Sequence, residues 1–566
     1  MQTLKDQIQG IVQTVFNEQF PQSETQIQVE YCDLAFGHFA TNAALMSAKT
    51  LGLKPTDIAN TLATELTKRA EFSSVEVQQP GFVNLRLQNA VLEENVRSLY
   101  EDPLGATKNI GKDQRMIIDY SHPNIGKPMG VHHLLSTIIG DSIKLIYRAS
   151  GYEVIADNFI GDMGTQFGKL IHAVKTWGDM DAIEKDPITE LLKLYVHFHI
   201  EAETDTALDD AGRAEYKKLE EGDPENRALL EKIQKWSMAE IASLYDQLGI
   251  EFDYFNGESF YEDKMQAIID LGKSKGIFVE SQGALVCKLS NPDEPPAIIQ
   301  KSDGTSLYLT RDLARIAYWD KTWQPSYMVN VVDVAQSLQF RQLFEVSDKL
   351  GLTVADNIHV PFGRMQFSDG GMSTRKGNII LVQEVLAEVR RRANEQVESV
   401  AKNLNTQEQA ELVEILAINA VKYTILRQNR VSNLTFDWDN LLSLEGNSAP
   451  YLAYSLVRMQ AIHRDSELLE TSELLVDEKL DDAEIVLLLE LTKLADAIQG
   501  SITHFQPSDI ANYCYELCRM YNGFYHTHKI LEDQQTKSSR VLINSATLRV
   551  VQTCFALLGL RQPNKM

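Results

Sequence analysis

Hydrophobic and polar positions predict a mixture of strands and helices over roughly the first four hundred residues. The first hundred or so residues close on PGFVNLRL, Pro80 to Leu87, where apolar side chains partly alternate after a Pro-Gly turn and predict a strand. A run rich in Gly, Asp, Lys and Pro follows at residues 102–113. This run predicts a domain boundary.

The clearest local prediction is a strand, a loop and a helix in that order. RMIIDY, Arg115 to Tyr120, is a short apolar run that is consistent with a buried strand. A loop with Pro and Gly follows, and the apolar spacing of HHLLSTIIGDSIKLIYRAS is helical, so we expect the helix to start near Val131. The three segments form a βα unit.

Later segments extend this alternation. SLYLT, Ser306 to Thr310, alternates like a strand and runs into RDLARIAYW, a predicted helix in which Asp312 is the second residue. YMVNVVDV, Tyr327 to Val334, predicts another buried strand. One apolar face of a long helix is predicted from the spacing of Leu229, Ile233, Trp236, Ile241, Leu244 and Leu248. The pattern favours a mostly parallel sheet covered by helices.

Strand signals nearly vanish from about Thr406, where ELVEILAINAVKYTILRQ opens a region that we predict to be all-helical as far as Met566. A chain of 566 residues is long enough for roughly three or four domains.

The composition is that of a globular protein, but the chain is strongly acidic. It has 79 acidic and 54 basic residues and a net charge of -25. Binding of a polyanion through bulk charge is therefore disfavoured, and a nucleic acid would have to be held by a local basic patch. The five cysteines are scattered without a C-x-x-C pair, and no signal peptide or membrane span is recognisable. We therefore expect a reduced, soluble cytoplasmic protein.

The loop SHPNIGKPMGVHH, Ser121 to His133, is the first candidate site. It would lie at the carboxyl end of the predicted strand, where open α/β sheets bind ligands, and at a helix N-terminus, which favours phosphate. Two glycines permit close backbone approach, and Lys127, His132 and His133 offer donors. Taken alone, a crossover loop with surface imidazoles is an equally good interpretation.

The loop SDGGMSTRKGN, Ser368 to Asn378, is the second candidate. Its glycines, hydroxyls and adjacent Arg375 and Lys376 suit a loop that closes over a triphosphate. For an isolated segment, a solvated loop tip is the favoured alternative.

Together the two loops resemble the paired signatures of class I aminoacyl-tRNA synthetases, and the flanking segments narrow the resemblance to arginyl-tRNA synthetases. It covers nearly the whole chain. The segments occur in the family's order: FGHFATNAALMSAK and PGFVN in the N-terminal domain, PNIGKPM and STIIGD around the first signature, then NFIGDMGTQFGKLI, GESFY, DGTSLYLTRDLA and MSTRKGN, and finally FDWD and EGNSAPYLAYSLVR in the helical domain.

The resemblance implies three domains. These are an N-terminal α+β additional domain that contacts tRNA at residues 1–108, an α/β, Rossmann-type parallel-sheet catalytic domain with insertions at 109–404, and a C-terminal all-α anticodon-binding domain at 405–566. It implies that arginine and ATP form arginyl-adenylate and pyrophosphate, and that arginine then passes to the terminal adenosine of tRNA(Arg). We expect Mg²⁺ only because ATP brings it, no dedicated structural metal, and a monomer.

The first signature departs from the family's usual His-x-Gly-His. The four positions here hold Gly130, Val131, His132 and His133. The last histidine is retained, and we hypothesise that His132 supplies the missing imidazole from a neighbouring position.

The second signature departs as well, because Gly371 and Thr374 stand where many relatives have lysines. The resemblance implies that Lys127 takes over part of the phosphate contact. The implied catalytic residues are Lys127, His132, His133, Ser373, Arg375 and Lys376, and the implied ATP contacts are Gly126, Gly130, His133, Met372 and Ser373.

Selecting a guanidinium calls for rigid carboxylates that accept its planar fork of donors. Asp119 and Asp312 match family positions that hold the guanidinium region, and Asn124, Tyr308 and Gln336 match further contacts to the amino acid. The family often has a glutamate at the Asp119 position. As lone residues, Asp119 would be read as a strand-end turn former and Asp312 as a helix-dipole residue.

The implied tRNA contacts lie at both ends of the chain. Phe82 and Asn84 match the region that touches the corner of the tRNA, Tyr451 and Met566 match positions near the anticodon, and Tyr525 is an aromatic candidate for base stacking. Core packing is the alternative for each aromatic, and for Phe524 it is the favoured one.

Two rival functions remain at this stage. The altered first signature also suits a non-catalytic tRNA-binding paralogue, but the retained amino-acid pocket argues against it. A nucleotidylyltransferase that acts without tRNA is the second rival, and the matching helical C-terminal domain argues against that.

Overall fold

The computed structural model describes residues 3–302, 308–367, 380–466, 480–532 and 537–566. Contacts divide the chain into two compact units, Met1–Ile110 together with Ser443–Met566, and Gly111–Leu442. Within the described ranges, no helix has the length and apolar character of a membrane span.

The N-terminal part of the first unit is an α+β fold. Its elements are α1 (Leu4–Gln19), β1 (Val29–Tyr31), β2 (Phe39–Thr41), α2 (Ala43–Leu51), α3 (Pro55–Leu66), β3 (Phe72–Gln78), β4 (Phe82–Leu87) and α4 (Asn89–Glu101). The strands form an antiparallel sheet in the order β1-β2-β4-β3. The strand predicted in PGFVNLRL is β4, and its residues Val83, Leu85 and Leu87 are buried.

The second unit is built on a parallel sheet. Its elements are β5 (Arg115–Asp119), α5 (Val131–Ala149), β6 (Glu153–Asp157), α6 (Thr165–Trp177), α7 (Met180–Lys185), α8 (Pro187–Ala202), α9 (Ala207–Glu221), α10 (Pro224–Leu248), α11 (Met265–Ser274), β7 (Phe278–Ser281), β8 (Ala284–Cys287), β9 (Ala297–Gln300), α12 (Tyr308–Trp323), β10 (Tyr327–Asp333), α13 (Ser337–Leu350), β11 (Asp356–Phe362), β12 (Met365–Phe367), α14 (Val382–Val400), α15 (Thr406–Leu426), β13 (Leu434–Phe436) and α16 (Trp438–Leu441). Two 3₁₀ helices cover Glu258–Lys264 and Val334–Gln336.

The strands β11-β10-β5-β6 are hydrogen-bonded in that order and all run parallel. The near-continuous apolar runs of the two central strands, β5 and β10, are buried, as expected for a parallel sheet with covered faces. β7, β8 and β9 form a separate antiparallel sheet. The fold class predicted from the sequence is therefore confirmed, and the predicted βα unit is β5 and α5.

α5 packs closely against the end of β5. An added Cβ at Gly140 would lie 2.3 Å from Cγ of Tyr120, a distance that ordinary contacts do not reach. A glycine is required at this point because any side chain would push the helix away from the residue that follows Asp119. The motif STIIGD thus has a packing explanation in addition to its family resemblance.

Two details of the secondary-structure prediction are wrong. Tyr308, Leu309 and Thr310 belong to helix α12 and not to a strand, while the remainder of the predicted strand lies outside the described residues. Leu309 and Thr310 are buried on the helix face that carries Asp312, so their apparent alternation is part of a helical pattern. One strand, β13, also occurs after Thr406, where it pairs in parallel with β12.

The C-terminal part of the first unit is helical, with α17 (Ala449–Asp465), α18 (Asp482–Thr492), α19 (Leu494–His504), α20 (Ser508–Thr527) and α21 (Lys537–Leu557). It contacts the N-terminal part directly. Arg549 Nε donates to the carbonyl oxygen of Tyr100 at 3.3 Å, and the hydroxyls of Tyr31 and Thr492 lie 3.0 Å apart. The bounds of the three domains expected from the sequence, 1–108, 109–404 and 405–566, stay predictions.

Candidate active site

A cavity of about 290 Å³ lies at the carboxyl ends of the parallel strands in the second unit. All five residues that the sequence assigned to arginine binding line it, namely Asp119, Asn124, Tyr308, Asp312 and Gln336. Asp119 is the last residue of β5, Asn124 lies in the loop after it, and Gln336 ends the 3₁₀ helix after β10. The topology thus brings together residues more than two hundred positions apart.

Asp119 is almost fully buried and accepts hydrogen bonds from three groups. Its Oδ2 accepts from His122 Nε2 at 2.9 Å and from Arg315 Nη1, and its Oδ1 accepts from the backbone N–H of Phe159 at 3.3 Å. Burial alone raises the pKa of the Asp119 carboxyl, but His122 and Arg315 outweigh it and hold that pKa below its usual value. Asp119 is therefore an ionised acceptor at the floor of the cavity.

Asp312 is the second buried carboxylate of the cavity. It lies on the buried face of α12, one turn before Arg315, whose Nη2 is 3.2 Å from Asp312 Oδ1. Gln339 Nε2 donates to Asp312 Oδ2 at 3.4 Å. Burial raises the pKa of Asp312, and Arg315 opposes the rise.

The loop that carries His122 has a strained backbone. Ser121 and His122 have φ values of 81° and 52°, in the left-handed region that non-glycine residues seldom occupy. Hydrogen bonds hold this conformation, because the Ser121 hydroxyl lies 2.7 Å from both Thr137 Oγ1 and Tyr245 Oη. The strain turns the chain so that His122 meets the Asp119 carboxylate.

Glu258 adds a third carboxyl to the lining of the cavity. Its Oε2 lies 3.2 Å from Arg311 Nη1. Burial raises the pKa of Glu258 to about 7; Arg311 opposes the rise, and Asp162 and Asp312 add to it. This carboxyl therefore changes charge near neutral pH.

Three ionisable residues of the cavity lining, His122, Glu258 and Arg315, were not predicted as site residues. A signal existed for two of them. Glu258 lies within the quoted motif GESFY, and Arg315 lies one helical turn after Asp312, on the same face. The contact of His122 depends on the strained backbone of its loop, and that conformation cannot be inferred from the residue types in the sequence.

The first signature loop surrounds the N-terminus of α5, as predicted. Gly126 has a φ of 77°, which favours glycine, and its N–H donates to Ser237 Oγ at 2.8 Å. The ammonium of Lys127 lies over the ring of Tyr195, 4.0 Å from its centroid. Lys127 is thus held against helix α8.

The two histidines of the loop differ in their surroundings. His133 Nδ1 accepts the backbone N–H of Gly130 at 3.2 Å, which leaves its Nε2–H free to act as a donor. Burial, with help from His132 and His122, lowers the pKa of His133 to about 3, so the ring is neutral at physiological pH. The rings of His132 and His133 lie 3.9 Å apart, and His132 is exposed.

The predicted residues of the second signature, Met372, Ser373, Arg375 and Lys376, lie outside the described residues. The chain that follows them is tied to the first loop. The N–H of Val131 donates to the carbonyl of Ile380 at 3.0 Å, and the N–H of Val382 donates to the carbonyl of Met129 at 2.9 Å. Ile380 and Val382 therefore lie beside the N-terminus of α5.

The predicted tRNA-binding residues lie in the first unit and have unequal exposure. Phe82 and Tyr525 are exposed, Tyr451 and Met566 are partly buried, and Asn84 is buried. Asn84 Nδ2 donates to Gln78 Oε1 at 3.2 Å, so its amide has a partner within the sheet. Phe524 is buried, in agreement with the packing role favoured for it.

An arginine side chain lies between exposed rings on α17 and α20. The guanidinium of Arg458 is 4.3 Å from the ring centroid of Tyr525 and 4.7 Å from that of Tyr454. Its Nη1 donates to Asn522 Oδ1 at 2.6 Å, and Asn522 Nδ2 donates to the Tyr451 hydroxyl at 3.0 Å. The surface thus combines a cation with stacked aromatic faces.

One group of possible metal ligands, Asp481, Glu484 and His528, is found among the described residues. It has a structural explanation, because Asp481 and Glu484 form the capping box of α18. His528 Nε2 lies 2.6 Å from Asp481 Oδ2. Within the described ranges, the loop from Ser121 to His133 has no such group.

Three family models match successive parts of the chain. "Arginyl tRNA synthetase N terminal domain" matches residues 2–87, "tRNA synthetases class I (R), catalytic domain" matches residues 96–438, and "DALR anticodon binding domain" matches residues 452–566.

Full-length relatives agree with these matches. An arginine–tRNA ligase of Fusobacterium nucleatum is 38% identical over 538 residues, which cover 94% of each chain. An arginine–tRNA ligase of Streptococcus pneumoniae is 37% identical over 548 residues, 96% of this chain and 95% of the relative. The crystal structure of the arginyl-tRNA synthetase of Plasmodium falciparum matches with a TM-score of 0.83 at 26% identity, covering 100% of both chains.

The ordered motifs, the parallel sheet with two carboxylates at its carboxyl edge, and the matches over the catalytic and helical parts all point to one family. The chain belongs to the class I arginyl-tRNA synthetases and is an arginine–tRNA ligase.

Proposed function

We propose that the cavity at Asp119 and Asp312 holds the side chain of arginine during its activation. The observation that carries the proposal is that one cavity is lined by all five residues implied by the family resemblance. Two buried carboxylates on rigid elements suit a planar guanidinium, which donates two parallel hydrogen bonds to each carboxylate that it meets. Asn124, Tyr308 and Gln336 would contact the remainder of the amino acid.

ATP would bind beside this cavity, at the N-terminus of α5. The positive dipole end of the helix favours phosphate, and Gly126 and Gly130 permit close approach of the chain. His133 is neutral and would donate its Nε2–H to a phosphate oxygen, whereas Lys127 would supply positive charge. Met372, Ser373, Arg375 and Lys376 would complete the phosphate contacts.

The chemistry follows from this placement. The carboxylate of arginine attacks the α-phosphorus of ATP, the bond to the bridging oxygen breaks, and pyrophosphate leaves with the electron pair. A hydroxyl of the terminal ribose of tRNA then attacks the arginyl carbonyl, and AMP leaves. Neither step needs a covalent enzyme intermediate, so positioning and charge stabilisation would supply most of the rate. Mg²⁺ would arrive with ATP.

The tRNA would contact both ends of the first unit. Tyr525 with Arg458, together with Tyr451 and Met566, would meet the anticodon region, and Phe82 would meet the corner of the molecule. Asn84 would act mainly through the sheet, because its amide is bonded to Gln78. We further propose that the protein is a cytoplasmic monomer.

ATP–pyrophosphate exchange with arginine, run with and without tRNA(Arg), tests the proposed function. The family resemblance predicts exchange that depends on arginine and needs tRNA, with lysine as an inactive control amino acid. Absence of exchange in both conditions would favour the non-catalytic paralogue. Robust exchange without tRNA would count against the proposed tRNA-dependent mechanism.

A further inference from the structure

The cavity already contains a guanidinium, that of Arg315. Its Nη1 bonds Asp119 Oδ2 and its Nη2 lies 3.2 Å from Asp312 Oδ1, so one side chain links both carboxylates that we assign to the substrate. Arg315 was not singled out by the sequence analysis. Its chemical group is the same as that of the substrate arginine, which makes its place in the site informative.

Arg315 is fixed by contacts beyond these two carboxylates. Nη2 donates to Asn330 Oδ1 at 3.0 Å, and the guanidinium lies 4.5 Å from the ring centroid of Phe159 and 4.7 Å from that of Trp319. The residue is 2% exposed. Aromatic faces and an amide oxygen thus hold it from several sides.

The charges of the groups around the cavity indicate how Arg315 affects the binding of a substrate guanidinium. Two carboxylates and Arg315 sum to one negative charge, and Glu258 and Arg311 form a separate ion pair. The strand-end carboxylate Asp157 does not line the cavity, and it accepts hydrogen bonds from Trp319, Tyr261 and Asn256. Asp119, Asp312 and Arg315 together therefore carry the charge that one substrate guanidinium neutralises.

Without Arg315, the two carboxylates would share a buried cavity with less cationic compensation. Like charges held together in a low dielectric keep a proton, and a protonated carboxyl no longer accepts a bidentate hydrogen bond. The planar fork of Arg315 also sets the direction of each carboxylate, which a point charge cannot do. Both effects act on arginine binding and not on ATP.

We propose that Arg315 is a positioning residue that sets the specificity of the amino-acid site. Arg315 occupies some of the hydrogen-bond acceptor sites of Asp119 and Asp312 and so fixes the orientation of both carboxylates. The remaining acceptor sites and the remaining negative charge are then available to one further guanidinium, that of the substrate. The proposal rests on the arginine site put forward above, and it adds a residue whose role is exerted through the two carboxylates.

Steady-state aminoacylation by R315A and R315K tests the proposal. We expect R315A to raise the KM for arginine by about 100-fold, with the KM for ATP changed less than about twofold, because the loss concerns charged, bidentate hydrogen bonds at one site. R315K keeps the positive charge but lacks the planar fork of donors, so its KM for arginine should lie between those of R315A and the wild type. R341A is the matched control, because Arg341 is an exposed arginine of α13, and it should behave like the wild type.

Chemical rescue separates this role from a merely structural one. Millimolar guanidinium chloride, well below denaturing concentrations, should lower the KM for arginine in R315A by refilling the vacated place. Sodium chloride at equal concentration should not do so, and guanidinium should not activate the wild type.

Each result of these assays supports or overturns either the proposed function or the proposed role of Arg315. A wild type without arginine-dependent activity defeats the proposed function itself. If the wild type is active and the KM for arginine in R315A is unchanged or lower, the proposed role of Arg315 is overturned. It is also overturned if R315A raises the KM for arginine and the KM for ATP equally and guanidinium does not reverse the rise. If circular dichroism shows R315A unfolded, R315K decides: a rise confined to the KM for arginine supports the proposal, and an unchanged KM overturns it.

Discussion

The ammonium group of Lys127 lies 4.0 Å from the ring centroid of Tyr195, so a lysine of the first signature loop packs against helix α8. A cation over an aromatic face at this distance gains roughly 0.5–1 kcal/mol at a partly exposed site. The contact gives Lys127 a defined position beside the N-terminus of α5. Helix α8 therefore takes part in organising the loop that we assign to the phosphates of ATP.

The first prediction concerns this lysine. Lys127→Ala should lower the rate of adenylate formation by about 100-fold, because it removes a positive charge that would meet the phosphates in the transition state. The KM for arginine should change little. Single-turnover formation of arginyl-adenylate measures the first effect, and a large rise in the KM for arginine would show that Lys127 belongs to the other substrate.

Tyr195 supplies the matched pair of variants for that experiment. Tyr195→Leu removes the ring face and should lower the rate about threefold, in keeping with the small energy of the contact. Tyr195→Phe keeps the ring and should match the wild type. Equal losses in both variants would mean that the hydroxyl, and not the ring, carries the effect.

The second prediction separates the two histidines of the first signature. His133→Ala should lower the rate of adenylate formation by about 100-fold, because it removes a neutral hydrogen-bond donor beside the N-terminus of α5. His132→Ala should cost about tenfold if its ring replaces the missing imidazole. An unchanged rate in His132→Ala would refute that hypothesis, and His133 would then be the histidine of this loop that contributes to adenylate formation.

The third prediction is a pH dependence of arginine binding. The folded-state pKa of Glu258 is raised to about 7, so the carboxyl is mainly charged at about pH 8 and mainly neutral at about pH 6. A cation binds better when Glu258 is charged, and the KM for arginine should therefore rise as the pH falls through neutrality. Arg311, Asp162 and Asp312 are the charged neighbours that set this pKa.

Glu258→Gln tests the origin of that dependence. The amide cannot ionise, so the KM for arginine should be high and nearly constant between about pH 6 and pH 8. An unaltered pH profile in the variant would assign the titration to another group. Circular dichroism at each pH serves as the control for folding.

The fourth prediction concerns tRNA. Tyr525→Ala should raise the Kd for tRNA(Arg) by about tenfold, because base stacking on an aromatic ring is worth roughly 1–3 kcal/mol. Tyr525→Phe keeps the stacking face and should bind like the wild type. Filter binding measures both values, and equal affinity of all three proteins would exclude stacking at this ring.

The fold was predictable where one pattern dominated. Strand β5, the start of α5 at Val131 and the buried strand β10 follow from apolar runs and turn residues. The start of α12 was not, since Tyr308 to Thr310 read as a short strand and the helix was decided by tertiary packing. The joining of the N- and C-terminal parts in one unit depends on contacts such as that of Arg549 with Tyr100, which have no local signature.

The candidate site was predictable as far as the family resemblance reached. It named the carboxylates Asp119 and Asp312, and the structure brings them to one cavity. It did not name Arg315, whose contact with Asp119 joins positions 196 residues apart in the sequence. The spacing of one helical turn indicates that Arg315 lies near Asp312, but its contact with Asp119 arises from three-dimensional packing and has no signal in sequence spacing.

The most direct test of the account is the KM for arginine in Asp312→Asn, measured by aminoacylation beside the KM for ATP. The amide keeps the shape of the carboxyl but loses its charge and half of its acceptor capacity. We predict a rise of about 100-fold for arginine and an unchanged value for ATP. An unchanged KM for arginine would contradict the claim that this cavity holds the guanidinium of the substrate.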